Sequence, residues 1–214
     1  MSEQEPVVYI VDDDAATRRF FEAVLVAAGL QTRKVKSAAA FLQLYDPEQP
    51  GCLLLDVQMP GMTGPELQHQ LNVSGAVIPV IFVSAHGDVP TAVQSMARGA
   101  FDFLQKPLSH ELLRERVNEA LRYDRDNRAA LQERDNIERR FNSLTARERD
   151  VLSLLISGSS NKAMAADLRL SQRTIELYRA RVMEKTQSRS LAQLIRMALN
   201  MDLARANRIG STTN

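Results

Sequence analysis

The chain has 214 residues, 44% hydrophobic and 25% charged, with a formal net charge of +1, which suits one large globular domain or two small ones. No apolar run approaches the roughly 20 residues that a membrane helix needs, and the acidic N-terminus lacks the apolar core of a secretory signal. Its single cysteine, Cys52, excludes an internal disulfide, and together these features predict a cytoplasmic protein without a membrane partner.

The first 122 residues alternate short apolar runs with amphipathic stretches. The apolar runs predict strands at residues 7–11, 32–35, 52–55, 80–84 and 101–104. The amphipathic stretches predict helices at residues 15–28, 38–44, 65–71 and 91–98, and a long helix from Ser109. Ser37 and Ser109 are placed to cap helices, and Gly29 to end one. Because several strands are apolar throughout, the alternation predicts a parallel α/β sheet that is covered on both faces.

The helical pattern continues from Glu111 to Gly158 without proline or glycine. Within it, residues 122–140 contain six basic and five acidic residues, and only Leu131 and Ile137 are clearly apolar. Such a stretch cannot build a core of its own. It predicts a solvent-exposed linker helix, with pairing to a partner helix left open.

The rest of the chain has an all-helical pattern. Thr145 and Glu148 form a capping box ahead of an apolar run that Gly158 ends. Further helices are predicted at about residues 161–169, from a Ser171 cap to 185, and from a Ser190 cap to 201. Short helices joined by tight turns predict a small bundle.

The net charge changes sign near the point where the α/β pattern gives way to the all-helical pattern. Residues 1–141 carry 15 Lys/Arg against 20 Asp/Glu, a net −5, and residues 142–214 carry 12 against 6, a net +6. Domains with different partners are therefore expected. The predicted parts are an α/β domain (1–122), a charged linker helix (123–142), a helical domain (143–200) and a C-terminal tail (201–214).

Several predicted strands end in polar residues. The first is followed by Asp12, Asp13 and Asp14, the third by Asp56, the fourth ends in Ser84, and Lys106 follows the fifth. Parallel strands place their carboxyl ends on one edge of the sheet, where ligands bind. Three adjacent carboxylates need a cation nearby, and hard oxygens with open positions suit Mg²⁺. Together with a lysine and a hydroxyl they predict a site that holds or transfers a phosphoryl group.

These residues closely resemble the receiver domain of two-component response regulators. The resemblance spans residues 6–122 and rests on VDDD, LDVQMPGMTG, SAHGD and the Lys-Pro pair after the fifth strand. It implies a five-stranded, parallel, doubly wound, flavodoxin-like sheet. It also implies that Asp56 accepts a phosphoryl group from the phosphohistidine of a sensor histidine kinase.

The resemblance assigns further roles. Asp13, Asp56 and the backbone carbonyl of Gln58 would ligate Mg²⁺, with Asp12 acting largely through water. Lys106 would neutralise the phosphate, Ser84 would turn to bond it, Phe103 would move inward in step, and the Lys106–Pro107 peptide would be cis.

Three nearby residues have weaker assignments. Asp14 is interpreted as a solvated charge at a helix N-terminus rather than a metal ligand. Gln58 stands where relatives often carry arginine, at a position that tunes the loss of phosphate. His86 follows Ser84 by two residues, and its role stays open.

The predicted helix from Ser171 has two faces. Ile175, Tyr178 and Val182 are expected to face the core. Glu176, Leu177 and Ala180 lie on another face among cations, which fits a solvated amphipathic helix or one that enters the major groove of DNA.

The sequence motifs around this helix favour the DNA-binding interpretation. LTARERDVL, GSSNKAMAADL, SQRTIELYRARVMEK and SRSLAQLIRMAL resemble the LuxR/NarL-type helix-turn-helix domain over residues 143–200. HGDVP and RTIE point to the FixJ subfamily. The resemblance implies base contacts by Glu176, Leu177 and Ala180, and dimerisation on DNA through the helix from Ser190. Tyr178 departs from the usual histidine. The residues implied to contact phosphates are Lys162, Arg173, Thr174, Arg179 and Lys185.

The predicted function is that of a transcriptional regulator, by resemblance an activator. Phosphorylation of Asp56 would promote homodimerisation and binding to double-stranded promoter DNA, with RNA polymerase as a further partner. It would assist its own phosphorylation and dephosphorylation without being mainly an enzyme.

Two alternatives remain open from the sequence. Asp12 and Asp14 superficially resemble the catalytic pair of a haloacid-dehalogenase-type, Mg²⁺-dependent phosphohydrolase, with Asp12 as nucleophile. That interpretation leaves Asp56 and residues 143–200 unexplained. The other alternative is a transcription factor that switches without phosphate.

Overall fold

The structure, a computed structural model, describes residues 4–85 and 89–210, with the side chains of residues 202–210 excepted. In this part of the chain five strands and nine helices follow one another. The strands are β1 (Val7–Val11), β2 (Gln31–Val35), β3 (Gly51–Asp56), β4 (Val80–Ser84) and β5 (Asp102–Gln105). The helices are α1 (Ala15–Ala27), α2 (Ala38–Leu44), α3 (Gly64–Val73), α4 (Val89–Ala97), α5 (His110–Asn142), α6 (Ala146–Ile156), α7 (Asn161–Leu168), α8 (Gln172–Thr186) and α9 (Leu191–Gly210).

The five strands form one parallel sheet in the order β2-β1-β3-β4-β5. This is the flavodoxin-like order, so the predicted fold class is confirmed. Strand β1 lies between β2 and β3, and strand β3 between β1 and β4. The carboxyl ends of β1, β3 and β4 therefore lie side by side.

The central strands β1, β3 and β4 are buried on both faces, because helices cover both sides of the sheet and alternate residues of a strand point to opposite sides. Tyr9 and Leu53 contribute to the core on the face that packs against α2 and α3. Ile10 and Leu54 contribute to the core on the face that packs against α1 and α5. The central strands therefore need apolar residues at every position, which explains the runs VVYIV and CLLL.

The predicted helix ends are confirmed at several positions. The Ser37 hydroxyl accepts a hydrogen bond from the Ala40 N–H at 3.3 Å, and the Ser109 hydroxyl accepts one from the Leu112 N–H at 3.1 Å. Gly29 ends α1 with a φ of 79°, a left-handed conformation that favours glycine. These caps fix where each helix starts and stops relative to the sheet.

The chain divides into two compact units, Met1–Ala130 and Leu131–Asn214. In the second unit, helices α6 to α9 surround a core that includes Val151, Met164, Ile175, Val182 and Leu194. The capping box of Thr145 and Glu148 begins α6 as predicted. Helix α9 runs to Gly210, further than the end predicted near residue 201.

Helix α5 contains the predicted linker. Most side chains of residues 122–130 are exposed or half-buried, as expected from their charge. Asp124 is different, because only 1% of its surface is exposed. Its carboxylate pairs with Arg128 and accepts a hydrogen bond from the Gly51 N–H, which is why a charged residue is buried here. Among the described residues, no helix is long and apolar enough to cross a membrane.

Candidate functional site

The carboxyl edge of the sheet brings together residues that are distant in sequence. Asp12 directly follows β1, Asp56 is the last residue of β3 and Ser84 the last of β4. Lys106 follows β5, and its backbone N–H donates to the Ser84 carbonyl at 2.8 Å. The structure therefore places the four predicted residues of the phosphoryl site on one edge.

A single ammonium group joins the two buried carboxylates of this edge. Lys106 Nζ lies 2.8 Å from Asp12 Oδ2 and 2.8 Å from Asp56 Oδ1. Asp12 is 2% exposed and Asp56 is 8% exposed. Two carboxylates that share one cation in a poorly solvated site are held in place by charge-assisted hydrogen bonds.

Burial acts in opposite directions on the pKa values of Asp56 and Lys106. It raises the pKa of Asp56, and the hydrogen bond and charge of Lys106 offset only part of that rise. Burial acts to lower the pKa of Lys106, but hydrogen bonds to Asp12 and Asp56 outweigh it and raise the pKa. The site thus keeps Lys106 charged beside a carboxylate whose negative charge is destabilised by burial.

Backbone groups orient the remaining carboxylate oxygens. The Gln58 N–H donates to Asp56 Oδ2 at 2.8 Å, and the Asp14 N–H donates to Asp12 Oδ1 at 2.8 Å. Gly64, which begins α3, also approaches closely, since a Cβ there would lie 2.3 Å from the Asp56 carbonyl oxygen. This contact gives the second glycine of the PGMTG motif a steric reason, because no larger residue fits.

Sequence reasoning missed one residue near this edge. The Arg18 guanidinium donates to the Asp12 carbonyl oxygen at 2.6 Å, from the first turn of α1. It supports the backbone directly after β1. Its spacing of six residues from Asp12 on the helix that follows was the available signal.

The other acidic residues of the VDDD motif have different surroundings. Asp13 is exposed. Asp14 caps α1 and accepts hydrogen bonds from Thr17 and Ala16, which lower its pKa to about 2. This supports the interpretation of Asp14 as a helix-terminal charge. His86 lies outside the described residues.

The oxygens present fit a hard divalent cation. Asp12 and Asp56 provide carboxylates on one edge, with Asp13 exposed beside them, and Mg²⁺ takes one or two carboxylates and several waters. Within the described ranges, no three His, Cys, Asp or Glu residues are grouped as metal ligands, and Lys106 lies between Asp12 and Asp56. The metal roles of Asp12, Asp13, Asp56 and the Gln58 carbonyl remain predictions.

The two predicted switch residues lie on neighbouring strands. Ser84 is buried at the end of β4. Phe103, on β5, is half-buried, and its ring centroid lies 6.1 Å from that of Phe82 on β4. The Lys106–Pro107 peptide is cis, as the resemblance implies.

In the second unit, helix α8 shows the two faces that its sequence predicts. Ile175 and Val182 are fully buried, and Tyr178 packs against the same core. Glu176, Leu177 and Ala180 are exposed. Helix α8 thus has an accessible face that carries all three residues predicted to contact bases.

The predicted phosphate contacts divide into two groups. Lys162 and Arg173 are exposed. The Thr174 hydroxyl is bonded to that of Ser171 at 2.8 Å, Arg179 donates to the Asn161 side chain, and Lys185 Nζ lies 2.7 Å from Glu148 Oε2. Arg179 and Lys185 therefore also hold α8 to α7 and α6, whereas Thr174 contacts the capping residue of its own helix.

The pair between Glu148 and Lys185 was not expected from the sequence. Glu148 is 2% exposed, and its carboxylate accepts the Thr145 N–H at 2.8 Å as well as the Lys185 ammonium. The hydrogen bond from Lys185 lowers the pKa of Glu148. This pair joins the start of α6 to the last turn of α8.

Comparison with known proteins covers both units. Residues 8–118 match the family described as response regulator receiver domain, and residues 142–198 match bacterial regulatory proteins, luxR family. The transcriptional regulatory protein FixJ of Azorhizobium caulinodans is 42% identical over 207 residues, which cover 97% of this chain and 98% of the relative.

Two solved structures also match nearly the whole chain. The response regulator StyR superposes with a TM-score of 0.85 at 39% identity, covering 92% of this chain and 99% of StyR. Full-length FixJ from B. japonicum superposes with a TM-score of 0.57 at 37% identity, covering 94% of this chain and 99% of FixJ.

The shared ammonium predicts a shift in the titration of Asp56. Replacing Lys106 with methionine removes the cation but keeps an unbranched side chain, so the pKa of Asp56 should rise further. Carboxyl ¹³C chemical shifts followed against pH measure this pKa. The matched control is Lys34→Met, which removes an exposed lysine paired with Glu22 and should leave the titration unchanged. An unchanged Asp56 pKa in Lys106→Met would contradict the electrostatic role of this lysine.

The Glu148–Lys185 pair predicts an acid-sensitive second unit. The folded pKa of Glu148 lies below its ordinary value of 4.5. Its contribution to stability is therefore complete above that value and is lost as the pH falls through the folded pKa. The Lys185→Gln variant should be less stable than the wild type at neutral pH. Between about pH 6 and about pH 3, its free energy of unfolding should fall by a smaller amount than that of the wild type.

Thermal unfolding of the full chain at several pH values measures this dependence. The control is Arg147→Gln, whose partner Asp150 forms an exposed ion pair on α6. It should follow the wild type. An acid dependence in Lys185→Gln equal to that of the wild type would show that the pair does not set the pKa of Glu148.

Proposed function

Since this chain belongs to the FixJ-like response regulators, two-component transcriptional regulators with a receiver domain and a LuxR-type DNA-binding domain, we propose that Asp56 is its phosphoacceptor. The observation that carries the proposal is the placement of the Asp56 carboxylate at the end of β3, bonded to Lys106. A receiver implies a sensor kinase as the source of the phosphoryl group.

The proposed reaction is a direct transfer between side chains. An Asp56 oxygen attacks phosphorus on the phosphohistidine of the kinase, a P–O bond forms, the P–N bond breaks and histidine leaves. The Lys106 ammonium offsets charge on the phosphoryl oxygens, and the Gln58 N–H keeps one Asp56 oxygen oriented. Partial burial leaves the Asp56 carboxylate poorly solvated and ready to react.

We propose Mg²⁺ as the cofactor of this site. Asp12, Asp13, Asp56 and the Gln58 carbonyl would hold it. When bound, Mg²⁺ supplies positive charge to the transferring phosphoryl oxygens. The support is the chemistry of the donors, which are hard oxygens at the edge where the phosphoacceptor lies.

The proposed switch passes from the phosphate to the surface of α4 and β5. Ser84 would bond the aspartyl phosphate, and the half-buried Phe103 would move inward. Homodimerisation would follow through this surface. Its support is that Val89, Val93 and Met96 of α4 are exposed apolar side chains, which a protein partner would cover.

In the second unit, Glu176, Leu177 and Ala180 would contact bases in the major groove. Glu176 can accept a hydrogen bond from the N4 amine of cytosine. The exposed Lys162 and Arg173 would bind DNA phosphates, with Thr174, Arg179 and Lys185 as further contacts. The protein would act in the cytoplasm, as an activator that engages RNA polymerase at promoters.

Neither alternative has the same support. A phosphohydrolase that uses Asp12 as nucleophile leaves the DNA-binding domain without a role. We propose instead that self-phosphorylation and dephosphorylation at Asp56 serve regulation. A phosphate-independent regulator leaves the bridged pair of Asp56 and Lys106 without a role.

A first experiment tests the phosphoacceptor. Incubation with a small-molecule phosphodonor and Mg²⁺ should add one phosphate to the wild type, detected by intact mass, and none to Asp56→Asn, because no other carboxylate would be the nucleophile. Sedimentation should show dimerisation of the phosphorylated wild type alone. The control Asp14→Asn keeps a residue that can cap α1 and should accept phosphate normally.

Two other results would overturn the proposal. A phosphate that persists in Asp56→Asn and disappears in Asp12→Asn would favour the phosphohydrolase. No phosphate on a wild-type chain that still dimerises on DNA would favour the phosphate-independent regulator.

A second experiment tests the base contacts with a duplex selected from a random pool by the phosphorylated wild type. Glu176→Ala should reduce discrimination at one base pair by about 1–3 kcal/mol, because it removes a base-edge acceptor. Fluorescence anisotropy on single-substitution duplexes measures this loss. The control is Glu184→Ala, an exposed glutamate later on the same helix, which should keep the preference. Equal effects of both variants would rule out a specific contact by Glu176.

A further inference from the structure

Two charged residues near the start of the predicted linker contact the receiver unit. Asp124 Oδ2 accepts a hydrogen bond from the Gly51 N–H at 2.9 Å. Arg128 Nε donates to Asp124 Oδ1 at 3.0 Å and to Oδ2 at 2.9 Å, one helical turn further along. We call this pair the Asp124–Arg128 clamp.

The arginine extends the clamp to a second segment of the receiver. Arg128 Nη1 donates to the Pro47 carbonyl at 2.8 Å, and Nη2 donates to the Gln49 carbonyl at 3.1 Å. All three guanidinium nitrogens thus have acceptors on α5 or on the segment between α2 and β3. A lysine could not reach these acceptors together, because its ammonium is a single point charge.

The residues around the clamp make fewer contacts with the rest of the receiver, although the ring of Tyr123 packs against that of Phe101 with centroids 5.5 Å apart. Among residues 122–130, all of which the structure describes, Asp124 is the only one that is fully buried. Arg125 and Asp126 have side chains that are 72% and 73% exposed. The polar contacts between this part of α5 and the rest of the receiver therefore come mainly from two charged side chains. A buried carboxylate that loses its partner is strongly destabilising, so the clamp holds only when complete.

The clamp also reaches the strand that carries the phosphoacceptor. Gly51 is the first residue of β3, and Asp56 is the last. Gly51 cannot be replaced by a larger residue here, because a Cβ would lie 2.0 Å from the Val7 carbonyl oxygen. A strand packed this closely leaves little freedom at the point where Asp124 binds it.

We propose that Asp124 and Arg128 are positioning residues that make the first turns of the linker helix part of the receiver and so transmit the state of the receiver to the linker. The transmission rests on the proposed phosphorylation of Asp56. Without the clamp, the site still accepts phosphate, but the helix beyond residue 122 no longer responds to it. Residues 123–130 are thus a fixed part of the receiver unit and not the start of a free spacer.

Hydrogen exchange of the full-length chain, resolved by peptide, tests this with and without a phosphodonor and Mg²⁺. The variants are Asp124→Asn and Arg128→Ala, and the controls are the exposed neighbours Asp126→Asn and Arg125→Ala. In the clamp variants, amides of residues 123–130 should exchange about tenfold faster than in the wild type. Phosphorylation should alter exchange across residues 123–142 in the wild type and controls, and in neither clamp variant.

Intact mass shows whether Asp56 still takes up phosphate, which separates lost coupling from a lost site. The clamp variants should reach a phosphorylated fraction within about twofold of the wild type, since the clamp lies at the other end of β3 from Asp56. The two clamp variants remove different contacts. Asp124→Asn removes the negative charge that pairs with Arg128 but keeps an oxygen that can accept the Gly51 N–H, whereas Arg128→Ala removes the guanidinium and its contacts with Pro47 and Gln49.

Each remaining outcome overturns a distinct claim. Clamp variants whose linker exchanges as slowly as the wild type, or still responds to phosphate, overturn the clamp. A wild type that takes phosphate on Asp56 without any change in the linker overturns the transmission and leaves the phosphoacceptor standing. A wild type that takes no phosphate overturns the proposed function, and the baseline exchange rates still decide whether the clamp fixes the helix.

Discussion

The arrangement at the carboxyl edge of the sheet depends on one ammonium group. Asp12 and Asp56 are both buried, and two carboxylates this close would repel each other without a cation. Lys106 bonds both at 2.8 Å, so the edge is stable while one carboxylate keeps a raised pKa. This combination supports the proposed phosphoacceptor role of Asp56, because the attacking oxygen must be positioned and yet poorly stabilised by solvent.

Buried carboxylates that are paired with basic side chains also occur elsewhere in the protein. The four buried acidic residues of the described chain each have a basic partner: Asp12 and Asp56 share Lys106, Asp124 pairs with Arg128, and Glu148 pairs with Lys185. Each pair joins separate elements of its unit or binds a helix to a neighbouring segment. Since a buried charge without its partner destabilises the folded state, removing either member of a pair should destabilise the local structure around it.

The pairs occur in both units of the chain. Strand β3 carries Asp56 at one end and the Gly51 N–H that binds Asp124 at the other. The second unit fixes α8 through Lys185 and Arg179 while leaving Glu176 and Leu177 exposed. Charged residues that look interchangeable along the sequence thus divide into those that hold elements together and those that face solvent.

The amino-acid sequence by itself determined the fold class and which residues lie at the edge that we propose as the phosphoryl site. Apolar runs that end in Asp12, Asp56 and Ser84 predict parallel strands with a shared edge, and periodicity predicts the buried and exposed faces of α8. These features are local, because each depends on the order of residues within one strand or helix. The domain boundaries, metal ligands and base contacts were also read from sequence and await their tests.

Only the tertiary structure decided which charges pair. Nothing local marks Asp124 as buried or Asp126 as exposed, and Lys185 and Arg173 look alike on the basic helix α8. Their roles depend on groups 37 residues away for Lys185 and Glu148, and 73 residues away for Asp124 and Gly51. The physical reason is that an ionic hydrogen bond depends on distances of about 3 Å in space, which the packing of whole elements sets.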